Sequence, residues 1–204
     1  MNPKYLGDSY DIVKYCLLQW LSVLGPWSAH PMFTEPVNGS GAATFSALLR
    51  VPLLSTEVLA QGQDRNEYFT TARSCASHLF LDPDTGVRLK STRGKKAPAY
   101  LFLDELVHIA RRQESLLTMV FDQCLQRGAE AAGLRAKLEE LKAQRCYGFA
   151  YQSHACFLVV GQDCVLVGRA RSILREANLP EDRFVTLVEC VVASDVRSWA
   201  EGTA

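Results

Sequence analysis

Leu79-Phe80-Leu81-Asp82-Pro83-Asp84-Thr85-Gly86 is an apolar run that stops at two carboxylates, a proline and a glycine. The middle of a buried strand cannot carry unpaired charges, so Asp82 marks where the chain leaves the core and turns at the edge of a sheet. In open α/β sheets that edge is where ligands bind. Arg88, Lys90, Arg93, Lys95 and Lys96 follow with no acid among them. Acids and a polycation therefore flank one expected crevice, and that combination suits a phosphate-bearing substrate or cofactor.

Working outward, Leu116 to Phe121 repeats the pattern of an apolar run closed by an acid, Asp122. Asp122 and Gln123 are expected at the same crevice, with Arg127 close enough to pair with an acid or bind an anion. Toward the N-terminus, Asp8-Ser9-Tyr10-Asp11 reads as a helix start, and Gly25-Pro26 stops that helix. An extended run over 29–34 ends at Glu35-Pro36, Asn38-Gly39-Ser40-Gly41 reads as a flexible turn, and 42–49 as a short helix. Strand, glycine turn and helix in that order place bare backbone amides where they can hold phosphate. Residues 55–73 are polar and partly helical by pattern, 100–112 and 165–177 read as helices, and 129–144 as the clearest amphipathic helix. Residues 147–152 and 155–160 are β-rich around Ser153-His154, as a hairpin or one bent strand, and 184–192 reads as a final strand. The alternation predicts one α/β domain over 1–204, with three layers and a largely parallel sheet that carries a C-terminal β-hairpin.

With 204 residues, 48% hydrophobic, and 22 basic against 22 acidic side chains, the composition is that of an ordinary soluble globule and excludes a generally basic nucleic-acid coat. Any contact with nucleic acid is therefore expected to be local, through the basic segment. The seven cysteines are scattered, without CxxC pairs or zinc spacing, and read as buried thiols in a reducing cytoplasm. No stretch has the features of a signal peptide or a membrane span. A Gly-x-Ser-x-Gly elbow and a phosphate-binding P-loop are both missing, which disfavours a serine hydrolase and a P-loop nucleotidase.

Two family resemblances rest on these residues. The N-terminal helix, the short strand and Glu35-Pro36-Val37-Asn38-Gly39-Ser40-Gly41 resemble the opening of Rossmann-like S-adenosylmethionine-dependent methyltransferases, and Asp82-Pro83 is placed like the Asp-Pro motif that the family carries beside the transferring methyl group. The layout is most similar to the three-Cys-motif partner proteins, a bacterial methyltransferase-like group. The resemblance implies S-adenosylmethionine as cofactor near Glu35, Gly39 and Gly41, Asp82 at the transferring centre, and nucleic acid held through Arg88, Lys90, Arg93, Lys95 and Lys96. The second resemblance is to Toprim domains. Glu35, Asp82 and Asp84 stand in the order of their metal-binding acids, which implies Mg²⁺ and phosphodiester chemistry.

Each motif also has a purely structural explanation. Pro, Asp and Gly are the residues of tight turns. The basic segment reads equally as a solvated loop. His154 is a candidate general base, and alternatively a satisfied, partly buried histidine. Asp104 and Glu105 belong to the first turn of a helix. A third functional reading is a catalytically inactive module that docks a protein partner, which the short interval between Gly41 and Asp82 supports.

Overall fold

The structure is a computed structural model that describes residues 1–91 and 94–187. Six strands form the main sheet: β1 (Trp27–His30), β2 (His78–Leu81), β5 (Thr118–Phe121), β6 (Tyr147–Gln152), β7 (Cys156–Gly161) and β8 (Phe184–Thr186), in the order β1-β2-β5-β7-β6-β8. β3 (Gly86–Arg88) and β4 (Tyr100–Phe102) make a separate two-stranded parallel ladder. The longer helices are α1 (Ser9–Leu21), α2 (Gly39–Leu49), α5 (Leu103–Ala110), α6 (Glu130–Ala143) and α7 (Cys164–Glu176), with α3 (Arg65–Tyr68) and α4 (Thr70–Arg73) as single turns.

The fold is mixed α/β, as expected. β1, β2 and β5 pair in parallel, whereas β5/β7, β7/β6 and β6/β8 are antiparallel. Four strands therefore run one way, and β7 and β8 run the other. The hairpin is the reason. Ser153, His154 and Ala155 leave room only for a tight reversal, so β7 folds back antiparallel on β6 and inserts beside β5.

Alternation along the strands divides the core in two. Leu79, Leu81, Val120, Leu158 and Val160 pack with Leu106 and Ile109 of α5 and Leu134 and Leu138 of α6. Phe80, Met119, Phe121 and Val159 pack on the opposite face with Leu17 and Leu21 of α1, Phe45 of α2 and Leu174 of α7. Helices thus cover both faces. β2 and β5 are fully buried four-residue strands, and that is why they read as unbroken apolar runs.

Three local expectations are corrected. Residues 100–102 are strand β4 before α5 begins, because Phe102 has extended backbone and its N–H donates to Glu105 Oε2 at 2.9 Å, which caps the helix. α2 begins at Gly39, so the two glycines lie inside its first turn and not in a loop ahead of it. β1 stops at His30, ahead of the expected Thr34. The expected last strand is present as β8, and its part beyond 187 lies outside the described residues. Among the described residues no helix is long and apolar enough to cross a membrane.

Candidate functional site

α1 builds most of the site. Asp8 caps it, its carboxylate accepting from the N–H groups of Tyr10 and Asp11, and the buried stripe below runs Asp11, Lys14, Leu17, Leu18, Leu21. Two charged residues thus occupy the first positions of an apolar stripe, and they are tolerated because β2 supplies their partner. Asp82, one residue past β2 and on the α1 face by alternation, is 1% exposed. Lys14 Nζ donates to Asp82 Oδ2 and to Asp11 Oδ1, each at 2.8 Å. The second oxygen of Asp11 accepts from Gly7 N–H at 2.7 Å. Burial opposes the Lys14 ammonium, but the carboxylates of Asp82 and Asp11 outweigh it and hold its pKa above the usual lysine value. Burial pushes the Asp82 carboxyl up, opposed chiefly by Lys14.

This triad floors a cavity of about 200 Å³ beyond the ends of β2 and β5. Asp84 and Pro83 form one wall, with Asp84 exposed at the mouth, and Tyr10 and Phe121 form another. The Met1 amine also reaches the cavity, within 2.6–3.1 Å of the carbonyls of Pro31, Met32 and Asp82. Burial pulls its pKa down to about 5, against the carboxylates of Asp82 and Asp84. The Lys14 ammonium lies 4.7 Å from the centre of the Phe121 ring, and Tyr10 meets the same ring edge-on at 5.6 Å. Asp8, Asp11, Asp82 and Asp84 outnumber the cations around this space, so it favours a ligand that brings positive charge or hydrogen-bond donors.

Asp122 does not share this crevice. It follows Phe121 and so faces the opposite side of the sheet, where Lys137 of α6 donates to its Oδ2 at 2.6 Å. Its Oδ1 accepts from Val87 N–H at 2.9 Å and Cys124 N–H at 3.1 Å. These contacts tie α6, β3 and the Cys124 segment to the end of β5, and Asp122 does not line the cavity. Gly86 makes this arrangement possible. Its φ is +122°, and a Cβ there would meet Asp122 Oδ1 and come within 2.6 Å of Gln123 N.

The remaining candidate residues are scattered. Glu35 is on the surface with Lys4 at 3.7 Å and Asn2 at 3.4 Å. Asp82 is held by Lys14, and among the described residues no group of three His, Cys, Asp or Glu side chains is arranged to hold a metal ion. Glu35, Asp82 and Asp84 therefore do not meet as a metal triad. Gly39 and Gly41 do not line the cavity, and Gly41 N–H already donates to Asn38 Oδ1 at 2.7 Å. A Cβ at Gly41 would come within 2.9 Å of Val37 Cγ2. Arg88 lies over the Tyr100 ring at 4.9 Å, while Lys90, Lys95, Lys96 and Arg127 are exposed, and Arg93 lies outside the described residues. His154 is exposed at the hairpin turn, contrary to the partly buried alternative, and stacks on Tyr10 with ring centres 5.3 Å apart.

Of the expected site residues, Asp82, Asp84 and Gln123 come together at the cavity, with His154 behind its Tyr10 wall. Asp11, Lys14 and Tyr10 were missed. The available signal was charge in the wrong place: Asp11 and Lys14 sit three residues apart on the stripe that Leu17, Leu18 and Leu21 continue. No protein-family model, curated protein or solved structure matches this chain.

Proposed function

We propose that the cavity is the ligand site of a methyltransferase-like protein and that it takes the adenosyl portion of S-adenosylmethionine, within a Rossmann-like three-layer domain. The observation that carries this reading is the coincidence, at the carboxyl ends of β2 and β5, of excess carboxylates with aromatic walls. Its volume is below the roughly 300–1,000 Å³ of pockets for drug-sized ligands, which suits a nucleoside-sized moiety with the rest of the molecule at the open mouth. The chemistry of the donor set fits a cationic ligand. Asp84 and Asp8 would draw its positive charge, Tyr10 and Phe121 would border the base, and Lys14 keeps Asp82 and Asp11 in place. The glycine segment implied by the resemblance has no part in this grip. When bound, the cofactor supplies an electrophilic methyl group, and the exposed Lys90, Lys95 and Lys96 would meet the phosphates of a nucleic-acid acceptor in the cytoplasm.

Calorimetric titration with S-adenosylmethionine and with its demethylated product tests the proposal. Both bind the wild type, and Asp84→Asn weakens the sulfonium form more than the product, because only the former carries charge on sulfur. Absence of binding for both at millimolar concentration overturns the reading.

A metal-dependent phosphotransfer enzyme remains the second reading, favoured by one observation: Asp82 and Asp84, from one loop, border the same space. It requires a Mg²⁺ isotherm that Asp84→Ala abolishes. Silence in both titrations leaves the partner-docking module.

A further inference from the structure

The aromatic side of the cavity has an order that its acids do not explain. Tyr10 lines the cavity and is braced on two sides. Phe121 meets it edge-on at 63°, and the His154 imidazole lies against it at an interplanar angle of 27°. His154 is exposed and does not line the cavity, so its stack is not a by-product of burial. The turn that carries it is pinned a second time, because Gln123, itself a cavity residue, donates through Nε2 to the His154 carbonyl at 3.1 Å. Phe121 is held in turn by Phe157 of β7 at 5.7 Å. The hairpin thus braces one tyrosine ring from outside the space that the ring borders.

We infer that Tyr10 is the specificity-determining residue of the cavity, selecting ligands that carry a planar heteroaromatic base, and that His154 is its positioning residue. The inference rests on the ligand reading proposed above and sharpens it, because it assigns the base to the Tyr10 wall and leaves the charged portion of the ligand to Asp84. It also gives His154 a role other than that of a general base: the imidazole acts through the tyrosine ring and transfers no proton.

The two halves of the ligand provide the test. Adenosine and methionine are titrated separately into wild type, Tyr10→Leu, His154→Ala and His154→Phe, with circular dichroism and melting curves to confirm that each variant folds. Stacking of a base on an aromatic ring is worth about 1–3 kcal/mol, so Tyr10→Leu weakens adenosine by about 5- to 150-fold and leaves methionine unchanged. His154→Ala weakens adenosine by a smaller factor, again without touching methionine, and His154→Phe restores it because a phenyl ring supports the stack equally well. Adenosine affinity unchanged in Tyr10→Leu overturns the inference while the ligand reading stands. Equal losses for adenosine and methionine also overturn it, since they report general damage to the cavity. Wild type that binds neither adenosine nor S-adenosylmethionine overturns the ligand reading itself.

Discussion

At the scale of single residues, the buried Lys14 is matched by a partner from a distant part of the chain. Lys14 is 68 positions from Asp82, so the reason a lysine belongs in the stripe of α1 is not local. This is why Asp82 was legible and Lys14 was not: an acid that ends an apolar run announces a strand end, whereas a lysine inside an amphipathic helix reads as a solvated face. Replacing it as Lys14→Met leaves Asp11 and Asp82 as buried carboxylates without the ammonium that joins them. The expected loss is about 3–5 kcal/mol, read as a lower urea midpoint. Gly86 is a second residue with no freedom. Gly86→Ala combines a disfavoured backbone with a Cβ driven into Asp122 and Gln123, and it costs more than about 1 kcal/mol in the same measurement.

At the scale of elements, helix and strand identities were readable where the pattern is long, as in α1, α6, α7, β2 and β5. They were misread where three residues decide. β3 and β4 are that short, and one of them is entered through the basic segment, so neither pattern nor composition identifies them. The start of α2 reads as a glycine turn because Gly39 and Gly41 resemble one, but Asn38 is a helix cap and its side chain takes the Gly41 amide. Asn38→Ala therefore costs roughly 1 kcal/mol of stability and leaves S-adenosylmethionine binding unchanged by calorimetry. A large loss of affinity would return the glycine segment to the site. α5 depends on a different anchor. Arg65 of α3 holds Glu105 through two nitrogens, at 2.5 and 2.7 Å, and donates to the carbonyl of Tyr100. Arg65→Ala removes an anchor shared by α3, β4 and α5, with an expected loss of about 1–3 kcal/mol and faster amide exchange in 100–106.

At the scale of the whole molecule, acid sensitivity has a part that belongs to His30, beside those of the Met1 amine and His78, whose pKa values burial also lowers. His30 ends β1 in the core, 1% exposed, against the rings of Tyr68 and Phe69, and among the described residues neither ring nitrogen has a hydrogen-bond partner. Burial, reinforced by the Met1 amine, lowers its pKa from 6.5 to about 4. Between those values the unfolded chain binds a proton that the folded chain refuses. The His30 contribution to stability is therefore full above pH 6.5 and declines as pH falls toward 4, by roughly 3 kcal/mol. His30→Leu should flatten that part of the profile of denaturation midpoint against pH; an unchanged slope would show that other groups set it. The place of the hairpin in the sheet was the large-scale feature least legible in advance, because the insertion of β7 beside β5 depends on how a hairpin docks and not on any residue along it. The neighbouring strands β2 and β5 hold one more consequence. Asp82 and Asp122 close adjacent strands yet answer to lysines on opposite sides of the sheet, so sliding either strand by a single position would turn its acid away from its own lysine. The two pairs act as a keyed lock on strand alignment, penalising the misaligned sheet more than they strengthen the correct one.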